Sequence, residues 1–184
     1  MMGAMALAPG THRLGPDDGT LRVQTYREGV AQKVGHDLVI EVEQWQATLE
    51  VGPHGDVTEI GLEADPGSFH VLEGLHGVKP LTDKDRASIR QDINEKILRR
   101  SPIRFRSRSV QSRPERLTIQ GELELAGASK PTTYQLAVSA ESRASGTLSI
   151  TQSAWGIKPY RAFMGALKVK DQVEIVLDVA LPSS

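Results

Sequence analysis

The chain contains no cysteine. That removes a disulfide framework, a thiolate zinc site and a cysteine nucleophile together. Aromatic residues are scarce as well: 184 residues hold two Trp, three Tyr and three Phe. Few large rings are therefore available to fill a wide interior. Net charge is only −1, so no global field draws the chain to nucleic acid or to an anionic membrane. No apolar run is long enough to span a bilayer. The N-terminal "MMGAMALAPGTHRLGP" has no Lys or Arg before its short apolar part. That start does not read as a secretory leader, so the expectation is a cytoplasmic protein without membrane insertion.

What the chain has is period-two alternation. "LTIQGELEL" puts Leu117, Ile119, Gly121, Leu123 and Leu125 on one face. "YQLAVSA" does the same with Tyr134, Leu136, Val138 and Ala140, and "QVEIVLDVAL" with Val173, Ile175, Leu177, Val179 and Leu181. "TLRVQTY", "DLVIEV", "WQATLEV", "EIGLEA", "FHVLEG", "IRFRSRSV" and "TLSITQ" add further runs. About eight or nine strands joined by short turns predict an all-β, antiparallel barrel or sandwich. In "LVIEVEQWQATLEV" the apolar set passes from Leu38, Ile40 and Val42 to Trp45, Ala47, Leu49 and Val51. Even positions become odd near Glu43, which predicts a bulge or sharp bend there.

One helix is expected around 82–99. Thr82 and Asp85 have capping spacing, and Ile89, Ile93 and Ile97 form one stripe. Asp83 and Asp85 stand at its start, and Lys96, Arg99 and Arg100 at its end, as the helix dipole favours. Residues 1–10 read as a flexible tail and 11–182 as one domain.

Signals for chemistry are weak. His36 and Asp37 adjoin, but neighbours in a strand point to opposite faces. His70, Glu73 and His76 in "HVLEGLH" match no trusted zinc spacing. Arg104, Arg106 and Arg108 alternate with Ile103, Phe105 and Ser107, as on the solvated face of a half-buried strand. Base-stacking aromatics are not interleaved with them on that face, so nucleic acid is not an expected partner. No nucleophile elbow, phosphate loop or dinucleotide fingerprint occurs.

Four stretches carry a family resemblance. They are "GHDLVIEVEQWQATLEV", "PIRFRSRSV", "LTIQGELELAGASKPTTYQLAV" and "WGIKPYRAFMGALKVKDQVEIVLDV". With them, residues 11–182 resemble the YceI-like family; the third stretch is its most characteristic hairpin. The segment "GLHGVKPLTDKDRASIRQDINEKIL" departs from the commoner family pattern and looks like an extended loop and helix. The resemblance implies a lipocalin-like, eight-stranded antiparallel barrel holding a long apolar molecule, often an isoprenoid. The implied role is non-catalytic binding as a carrier, store or sensor. No metal and no cofactor are expected beyond a bound polyisoprenoid or lipid. An apolar small molecule is the expected partner, and a homodimer is left open.

"WGIKPYRAFMGALKVKD" concentrates three of the eight aromatics in what reads as a connection. Such a segment either lines and closes a barrel mouth or plugs the barrel end. The candidate ligand-binding residues are Trp155, Tyr160, Phe163 and Met164 from this segment, with His36, Trp45 and Phe69. Two other readings stand beside binding: an enzyme using His36 with Asp37 or Tyr160, and a solid structural barrel.

Overall fold

The alternating runs form strands whose pairs are antiparallel throughout the described residues. The computed structural model describes residues 7–29, 35–77, 79–162 and 167–182. Its elements are β1 (Gly10–Leu14), β2 (Gly19–Thr25), β3 (Arg27–Glu28), β4 (Asp37–Val42), β5 (Trp45–Val51), β6 (Val57–Ala64) and β7 (Phe69–Leu75). Helix α1 (Asp83–Asp92) and a π turn (Ile93–Ile97) follow. Then come β8 (Ile103–Arg113), β9 (Arg116–Leu125), β10 (Ala128–Val138), β11 (Arg143–Thr151) and a 3-10 turn (Gln152–Trp155). β12 (Arg161–Ala162), β13 (Leu167–Val169) and β14 (Gln172–Ala180) complete the chain.

Eleven strands form one sheet in the order β1-β5-β6-β8-β9-β10-β11-β14-β2-β4-β7. β12, β13 and β3 form a second, small sheet. The main sheet has three strands more than the expected eight: β1 is one, and the other two share a physical cause. Two long strands are each broken at a corner, giving β4 with β5 and β6 with β7. The breaks lie side by side. Glu43 N donates to Ser68 O at 2.8 Å and Asp65 N to Gln44 O at 3.0 Å. Ser68 is 1% exposed; its hydroxyl donates to Asp65 O at 2.8 Å and accepts from Gln44 N at 3.1 Å. This is the bend predicted at Glu43. It lets Ile40 and Val42 before the corner, and Trp45, Ala47 and Leu49 after it, all face inward. Because β4 stands near one end of the sheet order and β5 near the other, the chain itself crosses the seam and curls the sheet into a barrel.

The barrel wall is uneven. β9 and β10 pair along their length, from Ala128 opposite Leu125 to Ala137 opposite Arg116. β10 and β11 pair only at Ala137–Ser145 and Val138–Ala144. From Ala128 to Leu136, β10 is thus an edge. That is where a strand proline is tolerated, and Pro131 sits there. Tyr134 bridges the gap by donating its hydroxyl to Gly146 O at 2.6 Å. A Cβ on Gly146 would lie 2.3 Å from Gln135 O and 3.2 Å from the Tyr134 ring, so this approach requires glycine.

The helix starts as its sequence predicts. Thr82 Oγ1 accepts from Asp85 N at 3.1 Å, and the Asp85 carboxylate accepts from Thr82 N at 3.0 Å, a complete capping box. Arg90 then pins the helix to the corner, donating to Gly67 O at 2.8 Å and pairing with Glu43 at 2.9 Å. No residue of α1 is buried, and Ile89, Ile93 and Ile97 are half-buried. The stripe therefore packs less deeply than a core helix would. Leu7, in the stretch read as a tail, is buried and donates its N–H to Gly55 O.

Candidate functional site

The inward rows of these strands enclose a cavity of about 650 Å³. That is the size of a site for one small ligand. A fully packed barrel would leave no such space, so the solid reading loses its footing.

The two ends of the cavity differ in chemistry. At the deep end lie Leu117, Leu136, Ala144, Val179 and Leu181, each at most 8% exposed. The other end gathers most of the polar lining, including Thr25, Arg27, His36, Asp85, Ser88, Asp92, Tyr160 and Lys168. These residues are half-buried or exposed, and we call this end the mouth. Ile89, Ile93 and Ile97 turn their half-buried stripe into the cavity beside them.

The mouth is held by backbone contacts. Arg27 donates its guanidinium to Gly35 O at 3.2 Å and to His76 O. Its own N–H donates to Asp37 Oδ1 at 2.8 Å, while Asp37 Oδ2 lies 3.7 Å from His76 Nε2. His36 Nε2 lies 2.6 Å from Lys79 O; a carbonyl only accepts, so this nitrogen carries the proton. The His36 ring occupies the space a side chain at residue 77 would need: a Cβ on Gly77 would lie 2.0 Å from Nε2. His36 and Asp37 therefore point to different partners, as strand alternation requires. Thr25 Oγ1 has no hydrogen-bond partner among the described residues. Tyr134, inside the wall, is pushed up to about 12 by burial, so its phenol stays protonated at neutral pH.

Of the candidates from sequence, His36, Trp45, Phe69 and Tyr160 line the cavity. Trp155 does not. It is buried in the wall, and its indole N–H donates to Leu123 O at 2.8 Å. Phe163 and Met164 lie outside the described residues. Arg27, Thr25, Asp92 and Lys168 were not singled out from sequence. A signal for two of them existed, because Leu21, Val23, Thr25 and Arg27 share one parity. The arginine row of β8 is exposed, with Arg108 2.6 Å from Glu122 and Arg104 3.8 Å from Glu63. No group of His, Asp and Glu among the described residues could hold a metal ion. No described helix is long and apolar enough to cross a membrane.

Comparison with known proteins supports this architecture. Residues 96–181 match the model of the YceI-like domain. No curated protein matches the sequence. Among solved structures, BcnA of Burkholderia cenocepacia is 15% identical, with 86% of this chain and 94% of that chain covered and a TM-score of 0.58. A mutant CJ YCEI protein made for nanotechnology applications is 11% identical, with 76% and 81% covered and a TM-score of 0.56. Another mutant of that protein, with a monobromobimane guest, is 12% identical over the same shares, with a TM-score of 0.53. At these identities the likeness is one of fold. Over residues 96–181 the chain is thus similar to the YceI-like domain, and with the residues before them it shares the fold of these solved structures.

Proposed function

We propose that the chain binds one long apolar molecule, isoprenoid-like or lipid, in the barrel interior, as a carrier, store or sensor and without catalysing a reaction. The observation that carries this reading is the polarity gradient of the cavity. Its deep end is built from aliphatic side chains, and most of its hydrogen-bonding groups gather at the mouth, while the Tyr134 hydroxyl in the wall is already bonded to Gly146 O. An apolar tail would bury itself at the deep end through the hydrophobic effect. A polar end would then meet the unpartnered Thr25 hydroxyl, with Arg27 and His36 nearby. The YceI-like match over residues 96–181 supports the same class of ligand. An enzyme built on His36 has less support, because the His36 ring is occupied by Lys79 O and Asp37 by Arg27.

Native mass spectrometry of freshly purified protein tests the reading. A co-purified apolar mass, released by organic solvent, is the expected result. A chain that is empty and also fails to take up pyrene from water would refute it.

A further inference from the structure

We propose that the mouth of the barrel is a docking face for an anionic lipid surface. Two large apolar side chains are markedly exposed among the described residues, Leu75 at 41% and Tyr160 at 45%. Both belong to the mouth. Tyr160 lines the cavity there. Leu75 ends β7 opposite Asp37, one residue from the His36 that also lines it. Elsewhere the described surface leaves no large apolar side chain so exposed.

Positive charge is concentrated in the connection that carries Tyr160, while Asp85 and Asp92 of the helix also line this end. Residues 156–170 contain Lys158, Arg161, Lys168 and Lys170 and no Asp or Glu, in a chain whose net charge is −1. The small sheet displays them. Arg161 of β12 stands opposite Lys168 of β13, Lys168 opposite Glu28 of β3, and Lys170 N donates to Tyr26 O. Lys168 pairs with Glu28 at 3.5 Å. Lys158, Arg161 and Lys170 are exposed and form no ion pair among the described residues. The next carboxylate along, Asp171, accepts from Ser153 N at 2.8 Å and Ser153 Oγ at 2.5 Å. Free cations beside an exposed tyrosine fit a bilayer interface: the ring sits at headgroup level and each cation is attracted by anionic lipid. An apolar molecule crossing directly between bilayer and cavity would also avoid passage through water.

The use of the face for loading rests on the cavity being a ligand site; the face itself does not. The test is co-sedimentation of the full chain with phosphatidylcholine vesicles, with and without about one quarter phosphatidylglycerol. Binding is expected to the anionic vesicles and to weaken as salt screens it. The double variant Lys158→Glu/Arg161→Glu should bind about tenfold more weakly. Neither residue lines the cavity, so pyrene uptake from water by that variant should be unchanged, which also reports an intact fold. No sedimentation with anionic vesicles, or equal sedimentation of the variant, would overturn the proposal. Vesicle binding without pyrene uptake by the unaltered chain would support the docking face and refute the cavity reading instead.

Discussion

The deep end and the mouth of this barrel are built on opposite terms. The deep end belongs to the main sheet, whose long strands hold ladders such as β11 with β14 from Arg143–Ala180 to Thr151–Gln172. Aliphatic side chains there are almost fully removed from water; Leu117 is 1% exposed and Ala144 0%. At the mouth the strands of the small sheet are two or three residues long, the helix buries nothing completely, and charged groups face the cavity. The first arrangement maximises burial and fixes the fold. The second leaves side chains with unsatisfied capacity, which a ligand or a surface can use. Stability and function are thus separated along one axis, and substitutions should sort by where they fall on it.

Trp155 belongs to the stable part despite its place in the mouth connection. Trp155→Ala should cost roughly 3–5 kcal/mol in a denaturant melt, the range for a buried aromatic. Ile93→Ala, on the half-buried stripe facing the cavity, should cost less than the about 2 kcal/mol at which core truncations of this type begin. Its larger effect should be on uptake of an apolar probe. Equal losses of stability for the two variants would erase the distinction between wall and mouth.

Tyr134→Phe comes next. Loss of its bond to Gly146 O should cost about 1 kcal/mol. Its pH dependence has a definite sign. The folded phenol is held up to about 12, so its contribution is complete below the ordinary tyrosine value and is lost as pH rises towards about 12. Alkaline melts of the Phe variant should fall less steeply over that window than those of the parent.

Thr82→Ala should cost about 1 kcal/mol or less, because the cap holds an exposed helix. The Asp85 carboxyl is held below its ordinary value, first by the Thr82 backbone N–H and then by its hydroxyl. A depressed carboxyl stabilises above its unfolded pKa and ceases to do so as pH falls through the folded one. Amide exchange at the start of α1 should therefore quicken in acid below about pH 4, ahead of exchange in β9 or β14. The smallest effect belongs to the outer wall. Changing Arg104, Arg106 and Arg108 to Gln should leave each position within about 0.5 kcal/mol, as for ordinary surface sites. A larger loss would mean that the outward face of β8 also holds the barrel.

The deep end was legible in the sequence because a row of alternating aliphatic residues has one sensible face. The phase change at Glu43 marked the corner, and Thr82 with Asp85 marked the helix start. The mouth was only partly legible. His36 shares its parity with Leu38 and Ile40, and Arg27 shares its own with Leu21 and Val23, but neither count was carried past the apolar residues. Arg27–Glu28, Arg161–Ala162 and Leu167–Val169 are too short for any period to show. β1 was missed because Gly10, Thr11, His12 and Arg13 offer no apolar alternation. Nothing local reveals where Trp155 points. Its partner, Leu123 O, lies 32 residues away, and only the folded wall brings the two together.

The two tryptophans give the most direct test of the cavity as a binding site. Both are buried, at 6% and 7% exposure, but Trp45 lines the cavity and Trp155 lies in its wall. A brominated fatty acid quenches an indole only at short range. Bound in the cavity, it should quench the parent chain and the Trp155→Phe variant, and leave the Trp45→Phe variant unquenched. Quenching that persists in Trp45→Phe, or none in the parent chain, would contradict binding in the barrel interior.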